Sequence, residues 1–302
     1  MGFCSRGISG VQKTLTVAQF IYVAAIAACF LAEISRPLRA QEPASQSNTH
    51  DDVSQLVRSV IQNELKAEQD DHSRWRFLET REEDGKQKLY EVCQTKDGDI
   101  ERLMSIDRRK LNAQEQAAED KRIQTLLAHP GRIREKQKKQ QEDAKQVQNL
   151  LKEFPEGFLF QFSEREGDLV KVSFTPNPKF HPHGRPAQVF HHMAGTLTID
   201  EKAKRITEIN GRLATNVKFG DGLLGHLDQG GTFLVKQQNV GSGHWDTVVM
   251  NVHMNGKILF LKTIAVRQTE SYSSYKPVPD NLSLKQAAEE LKSSDRSARK
   301  TS

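Results

Sequence analysis

Residues 244–268 read HWDTVVMNVHMNGKILFLKTIAVRQ, and this stretch decides the fold. Apolar and polar residues alternate at the period of a β-strand over 244–254 and again over 257–268. Asn255-Gly256 stands between the two runs, and this dipeptide is typical of a two-residue hairpin turn. The stretch therefore predicts an antiparallel hairpin. Its second arm is apolar on both faces, so each face needs a cover.

Alternating segments also fill the chain upstream of this hairpin. Turns that contain aspartate and glycine separate the segments 74–81, 86–94 and 100–107, which predicts a meander of three strands. Five more segments follow residue 154, namely Phe158-Phe160-Phe162, Val170-Val172-Phe174, Leu197-Ile199, Ile209-Gly211-Leu213 and Phe233-Val235. A sheet with so many strands twists and cannot be flat. The pattern therefore predicts a large, curved antiparallel sheet, a half-barrel.

Helical periodicity completes an α+β fold. Residues 51–65 carry an i, i+3, i+4, i+7 apolar stripe, which predicts an amphipathic helix packed on the sheet rather than on a partner protein. A helical insertion is expected over 112–153, because Asn112 and Glu115 form a capping box and Pro130-Gly131 breaks the helix. Residues 281–302 predict a short helix followed by a frayed, disordered tail.

The amino terminus indicates export. Arg6 and Lys13 precede an apolar stretch that Gln19 and Glu33 shorten below the roughly 20 residues needed to cross a bilayer. We expect a signal peptide over 1–40 that is cleaved near Ala40, a flexible tether over 41–50 and a single domain over 51–280. The mature chain would then be periplasmic or secreted, with no transmembrane span.

A second processing route is also open. Residues 26–29 read IAAC and resemble a bacterial lipobox, in which the cysteine is acylated and becomes the first residue of the mature chain. Cys29 would then anchor the protein to a membrane as a lipoprotein. The apolar residues that follow Cys29 disfavour this alternative, because a polar tether usually follows an acylated cysteine.

Charge argues against a nucleic-acid partner. Residues 1–40 hold four basic residues and one acidic residue, so removing them lowers the net charge from +5 to +2. Nucleic-acid recognition needs a clustered cationic face. The one basic cluster, over 132–145, is rich in glutamine and mixes both signs of charge, which is typical of a solvated helix face.

No catalytic motif is present in the sequence, neither a Gly-x-Ser-x-Gly elbow nor a phosphate-binding glycine loop nor His-Glu-x-x-His. Cys93 would be the lone cysteine of the mature chain, and we interpret it as a small buried apolar residue. His244 and Asp246 share a strand face, but they lack a nucleophile and are interpreted as a surface pair. The chain is therefore expected not to be an enzyme.

Four histidines lie close together in the sequence: His181, His183, His191 and His192. Two such pairs could ligate a metal ion. However, the first pair lies in a proline-rich loop, adjacent histidines on a strand point to opposite faces, and no cysteine or acidic residue stands at ligand spacing. We expect structural histidines and no cofactor.

The candidate functional residues are those that would line a hydrophobic cavity. Between two strands, the segment 219–231 interleaves glycines with apolar residues. It is either a gate at a cavity mouth or a wide turn with two leucines in the core. With the aromatic and aliphatic strand residues, the candidates are Phe158, Phe160, Val172, Phe174, Leu223, Leu224, Phe233, Val235 and Trp245.

Four segments together resemble one known superfamily: 195–200 (GTLTID), 205–213 (RITEINGRL), 230–235 (GGTFLV) and 243–245 (GHW). Their succession is similar to the outer-membrane lipoprotein-sorting proteins of the LolA, LolB and RseB type, over about residues 155–276. The resemblance implies a half-barrel closed by helices, in an exported, non-enzymatic carrier or sensor of acyl chains. The polar helical insertion departs from that family.

Two functions remain open. In the first, the half-barrel binds an acyl chain, a lipid or a lipoprotein, because burying a chain contributes about 0.8 kcal/mol per methylene. In the second, the core is filled, no ligand is bound, and the protein is an interaction or scaffold module of the cell envelope that contacts its partner through the helix 132–145.

Overall fold

The computed structural model describes residues 48–83, 85–219, 224–258 and 262–300. Within these ranges the chain is α+β, with five helices and a 13-stranded antiparallel sheet that does not close into a barrel. This architecture confirms the predicted half-barrel with helices. The expected signal peptide over 1–40, with its cleavage site near Ala40 and the alternative lipoprotein anchor at Cys29, lies outside the described residues.

The helices are α1 Asn48–Asp70, α2 Ala113–Ala128, α3 Pro130–Gly157, α4 Gly184–His191 and α5 Leu284–Lys300. The strands are β1 Arg74–Glu83, β2 Lys86–Cys93, β3 Ile100–Ile106, β4 Arg109–Lys110, β5 Phe158–Glu166, β6 Leu169–Pro176, β7 Met193–Asp200, β8 Arg205–Leu213, β9 Val217–Phe219, β10 Gly225–Leu227, β11 Thr232–Gly241, β12 His244–Ile258 and β13 Lys262–Val278. The main path of the sheet has the order β4-β3-β2-β1-β13-β12-β11-β8-β7-β6-β5, and β9 and β10 form a side branch on β12.

The predicted turn at Asn255-Gly256 is wrong. Strand β12 continues through both residues, which pair with Ala265 and Ile264 of β13. Gly256 is required there for another reason, since β10 crosses so closely that a Cβ on Gly256 would lie 2.3 Å from the carbonyl oxygen of His226. A glycine that allows close approach of a third strand was therefore misread as a turn residue.

The inner face of the curved sheet is covered by α1 and α3. The apolar stripe of α1 is buried against β5 and β8, as the sequence predicted, with Val57 and Val60 fully buried. Strand register places the β1 residues Glu79 and Arg81 on this same inner face, because Arg81 pairs with Glu270 and Glu270 pairs with Met250 of the main core. Helix α5 lies on the opposite face, against Cys93 and Ile100.

Helix α2 shields one edge of the sheet. The predicted capping box is present, with Asn112 and Glu115 bonded reciprocally. From this helix, Glu119 accepts a hydrogen bond from the backbone N–H of Leu103 at 2.9 Å, and Arg122 donates one to the carbonyl oxygen of Glu101 at 2.6 Å. Side chains of α2 thus satisfy the outward backbone groups of β3 that would otherwise be open to another strand.

Three further boundaries differ from expectation. Helix α1 begins at Asn48, inside the segment 41–50 expected to be a tether. Helix α5 continues to Lys300, whereas the sequence predicted a short helix and a frayed end. Buried Ala287 and Leu291 anchor this helix to the sheet, and that packing extends it through a polar sequence. Helix α4 occupies part of the segment predicted as a proline-rich loop and a strand.

Candidate functional site

The predicted cavity residues form a packed core. Six of the nine candidates join one apolar cluster with α1 and α3: Phe158, Phe160, Val172, Phe174, Phe233 and Val235 are buried, and Leu224 packs at its margin. Trp245 lies outside this cluster, where the guanidinium of Arg205 stands 5.3 Å from its ring centroid. Leu223 lies outside the described residues.

Aromatic rings from α3 fill the space that a ligand would need. The Phe154 ring of α3 contacts those of Phe158, Phe160 and Phe174, with centroids 4.9–5.5 Å apart. The ring of Phe190 on α4 completes the group, 5.5 Å from Phe154. The sequence predicts that the apolar end of the insertion, with Phe154, packs on the body of the protein, and the structure confirms this. The position of Phe154 shows that the insertion packs into the half-barrel.

A cavity of about 10 Å³ remains within this core. It is lined by Ile61, Leu151, Phe154, Phe174, Phe190, Ile206, Ile209 and Phe233. A cavity of roughly 10–15 Å³ accommodates a single water molecule, whereas benzene has been bound in an engineered cavity of about 150 Å³. With α1 and α3 docked, this cavity is too small for an acyl chain.

A buried carboxylate fixes α1 to the sheet. Glu64 is 3% exposed and accepts hydrogen bonds from the backbone N–H of Ile206 at 2.7 Å and from the amide of Gln237 at 2.9 Å. Its second oxygen lies 2.9 Å from the guanidinium of Arg205. Burial raises the pKa of Glu64, and Arg205 opposes this shift without cancelling it. We call Glu64, Arg205 and Gln237 the Glu64 cluster. It joins three elements through one side chain.

A second polar contact holds the end of α1. His244 at the start of β12 bonds through Nδ1 to Asp71, the residue after α1, and its Nε2 lies 3.7 Å from Asp246. Its ring stacks on Trp75 with a centroid distance of 4.7 Å. Burial alone would lower the pKa of His244, but the bonds to Asp246 and Asp71 outweigh it and raise the pKa. Asp246 is buried, so interpreting this pair as a surface feature was wrong.

A serine hydroxyl lies beside this histidine group. The nearby hydroxyl of Ser73 donates to Asp71 at 2.6 Å and accepts from the indole N–H of Trp75 at 2.7 Å. In this structure Ser73 is thus bonded to the carboxylate of Asp71 and to the indole of Trp75. Sequence reasoning missed Asp71, which is 173 positions from His244.

A further buried charged group lies on the inner face of β1. The Arg81 guanidinium is surrounded by Glu79, Glu83 and Glu101 at 3.4, 2.6 and 3.1 Å, and it stacks over the ring of Tyr90 at 3.9 Å. Burial would lower the pKa of Arg81, but these three carboxylates outweigh it and raise the pKa. Arg81 therefore stays charged and neutralises carboxylates that burial would otherwise destabilise.

The polar half of α3 faces solvent. Its exposed cations are Arg132, Arg134, Lys138, Lys139 and Lys145, and its exposed carboxylates are Glu135 and Glu142. Lys138 and Glu142 lie 3.9 Å apart, one helical turn from each other. Ile133, Asp143 and Val147 are buried and attach this half of α3 to the body. We call the exposed cations the α3 basic surface.

Two of the four candidate histidines, His191 and His192, make hydrogen bonds within the fold. His191 bonds to the carbonyl oxygen of Asn177 at 2.9 Å and His192 to the hydroxyl of Thr215 at 2.6 Å. His191 ends α4 and His192 follows it, so the expected strand placement was wrong. Among the described residues, no group of three or more His, Cys, Asp or Glu is placed to hold a metal ion. Cys93 is fully buried, and burial raises its pKa to about 12.

Within the described part of the chain, no helix is both long and apolar enough to span a membrane. The fold and its core define a half-barrel domain whose inner face is filled by its own helices. Comparisons with protein-family models, with curated proteins and with solved structures found no match to this chain.

Proposed function

We propose that this chain is a non-enzymatic interaction module of the cell envelope, with a filled core and the α3 basic surface as its contact with an acidic partner protein. The observation that supports this proposal is the filling of the half-barrel by α1 and α3, which leaves a cavity of about 10 Å³. The same helix that fills the core turns its cations to solvent.

Export is part of the proposal. It rests on the basic residues and the apolar stretch within 1–40, a pattern typical of a cleaved signal peptide. The mature protein would act in the periplasm or outside the cell, with the lipoprotein anchor at Cys29 as the alternative. Amino-terminal sequencing of the purified protein tests this point. A mature chain that starts near Gln41 supports cleavage, whereas an intact Met1 terminus contradicts it.

A carrier of acyl chains is the second candidate. It is favoured by the lining of the cavity, because every residue around it is apolar. It is also favoured by the resemblance to lipoprotein-sorting proteins. Binding a chain would require α1 to leave the sheet, and the Glu64 cluster would have to open at the same time.

Native mass spectrometry of the gently purified protein separates the two candidates. An interaction module has the mass of the polypeptide alone, whereas a carrier brings a hydrophobic passenger that solvent extraction removes.

A second experiment tests whether the α3 basic surface contacts the partner protein. Lys138, Lys139 and Lys145 are changed together to glutamate. The matched control changes exposed lysines elsewhere, Lys202, Lys218 and Lys285, to glutamate.

The expected result is that salt-sensitive co-purification of a protein partner is lost in the α3 variant and kept in the control variant. Equal loss in both variants would indicate a general charge effect and overturn the role of the α3 basic surface. A hydrophobic passenger in the native spectrum would favour the carrier instead.

A further inference from the structure

The two edges of the sheet are treated differently by this chain. At the β3 edge, Glu119 and Arg122 of α2 occupy the outward backbone groups. The opposite edge is β5, which pairs only with β6. Among the described residues, no hydrogen bond joins the outer side of β5 to another segment. Natural proteins usually block such an edge with charge, proline or a covering element.

The exposed apolar side chains gather at the same place. Among the described residues, the exposed large apolar side chains are Leu159 at 46%, Phe162 at 47% and Leu169 at 39%, all on the β5–β6 hairpin. Residues 159–163 read LFQFS and carry no charge. Charged residues come directly after this row. Two of them form ion pairs, Glu164 with Lys171 on β6 and Arg165 with Glu201, the residue after β7. We call residues 159–163 the β5 open edge.

The β5 open edge is complementary to itself. The hydroxyl of Ser173 on β6 donates to the carbonyl oxygen of Gln161 at 3.3 Å, so this carbonyl points inward to β6. Because backbone groups alternate in direction along a strand, those of Phe160 and Phe162 point outward. An antiparallel pairing centred on Gln161 places Phe160 opposite Phe162 of a second copy, so the outward groups meet as hydrogen-bonded pairs.

The side chains agree with this register. Phe160 pairs with Phe174 and Phe162 with Val172, so both phenylalanines lie on the inner face of the sheet. In the pairing centred on Gln161, each half-exposed Phe162 ring would lie beside Phe160 of the other copy, and cross-strand aromatic pairs are favourable. Gln161 would face Gln161, and Leu159 would lie near Ser163, the unpaired residue at the β-bulge between Phe162 and Glu164. No like charges are brought together within the row.

We propose that the β5 open edge pairs with the same edge of a second copy of this chain, giving a symmetric dimer with a sheet continuous across both subunits. This inference goes beyond the proposed function, because it uses a surface separate from the α3 basic surface. The pairing row is short, and stable interfaces bury about 800 Å² per partner. We therefore expect a reversible dimer whose population increases with protein concentration.

Disulfide trapping tests the register. Cys93 is the lone cysteine of a chain cleaved near Ala40, and it is buried. Where residues 1–40 are retained, Cys4 and Cys29 are changed to serine. In the proposed pairing, two copies of Gln161→Cys have Cα atoms about 4.5 Å apart, within the range of a disulfide. The matched control is Ser163→Cys, which is also exposed and lies at the bulge of the same strand; its two copies would be about 13 Å apart at 3.3 Å per residue.

Oxidation is expected to give covalent dimers with Gln161→Cys at least tenfold faster than with Ser163→Cys. Equal rates at both positions would mean random collision and overturn the proposal. Sedimentation of the unmodified chain provides a measurement that needs no variant, and a monomer at every concentration up to the solubility limit also overturns it. A monomer that still binds its partner through α3 would leave the proposed function intact.

A surface substitution completes the test. Phe162→Lys places a charge in the pairing row and is expected to shift the equilibrium to monomer. Leu169→Lys removes a similarly exposed apolar side chain from β6, outside the row, and should leave the dimer unchanged. Circular dichroism establishes that both variants are folded. If both substitutions dissociate the dimer equally, the association comes from nonspecific hydrophobic contacts of the β5–β6 hairpin, which would contradict the edge pairing.

Discussion

Replacing Glu64 with alanine should be among the most destabilising single changes in this chain. The carboxylate holds Arg205, Ile206 and Gln237 at 2.7–3.1 Å, and its own side chain is 3% exposed. Alanine would leave the guanidinium of Arg205 buried without its counter-ion and the N–H of Ile206 without an acceptor. Breaking a buried ion pair from one side costs about 3–5 kcal/mol. That is a large part of the roughly 5–15 kcal/mol that stabilises a domain.

The assay is urea-induced unfolding at neutral pH, followed by circular dichroism and by tryptophan fluorescence. Trp245 lies against Arg205 and should report the cluster directly. The matched control is Arg58→Ala on the same helix, which removes an ion pair with Glu156 whose side chains are 46% and 59% exposed. Exposed pairs contribute about 0–1 kcal/mol, so this variant should lose little stability.

A double variant tests whether the stability lost in Glu64→Ala comes from the buried, unpaired charge of Arg205. Changing Glu64 to leucine and Arg205 to methionine removes both charges, and it should recover much of the stability lost in Glu64→Ala. If Glu64→Ala loses no more than Arg58→Ala, the cluster does not hold α1. If the double variant is as unstable as the single one, the cost lies in the lost hydrogen bonds from Ile206 and Gln237 rather than in a stranded charge.

Three further predictions concern pH, backbone packing and thiol chemistry. The pKa of His244 is raised above its ordinary value of 6.5, so the contact of His244 with Asp71 and Asp246 stabilises the fold fully below pH 6.5, and this stabilisation is lost as the pH rises through the pKa of the folded state. The urea midpoint should therefore fall over that pH range in the parent protein, and fall less in His244→Gln. An equal decrease of the midpoint with pH in both proteins would refute this. Gly256→Ala should destabilise by about 1–3 kcal/mol through overpacking against His226. Gly131 lies in α3 and a Cβ there meets no atom within 4 Å, so Gly131→Ala should raise stability slightly, by about 0.4–1 kcal/mol, in the same unfolding assay. The Cys93 thiol should not react with a soluble thiol reagent until urea unfolds the chain, because burial raises its pKa to about 12; fast reaction of the folded protein would contradict this placement.

Much of the fold could be read from periodicity. The strands of the amino-terminal meander, the capping box at Asn112 and the apolar stripe of α1 all follow from local patterns, and the structure confirms them. A local sequence pattern predicts a helix, strand or turn reliably when the conformational preference or the burial of a single residue is enough to determine that element. The break at Pro130 is of this kind, since proline starts α3 at its first position.

The errors arose where distant segments decide the outcome. Gly256 is a strand residue because β10 approaches it, and β10 is more than twenty-five residues away in the sequence. Helix α5 is longer than its own sequence indicates, because the sheet supplies its stability. The pairing of Asp71 with His244 and that of Glu64 with Arg205 depend on how α1 crosses the sheet. No spacing along the chain shows that crossing.

The pairing of β1 with β13 also bears on how this protein is made. Arg74 lies beside Val278, so an early strand completes the sheet only with one of the last. During synthesis this pair cannot form until the segment that contains β13 has left the ribosome, and non-local pairing of this kind slows folding. If the chain is exported as proposed, late pairing of β1 with β13 would leave it unfolded while it crosses the membrane, and the sheet would be completed afterwards.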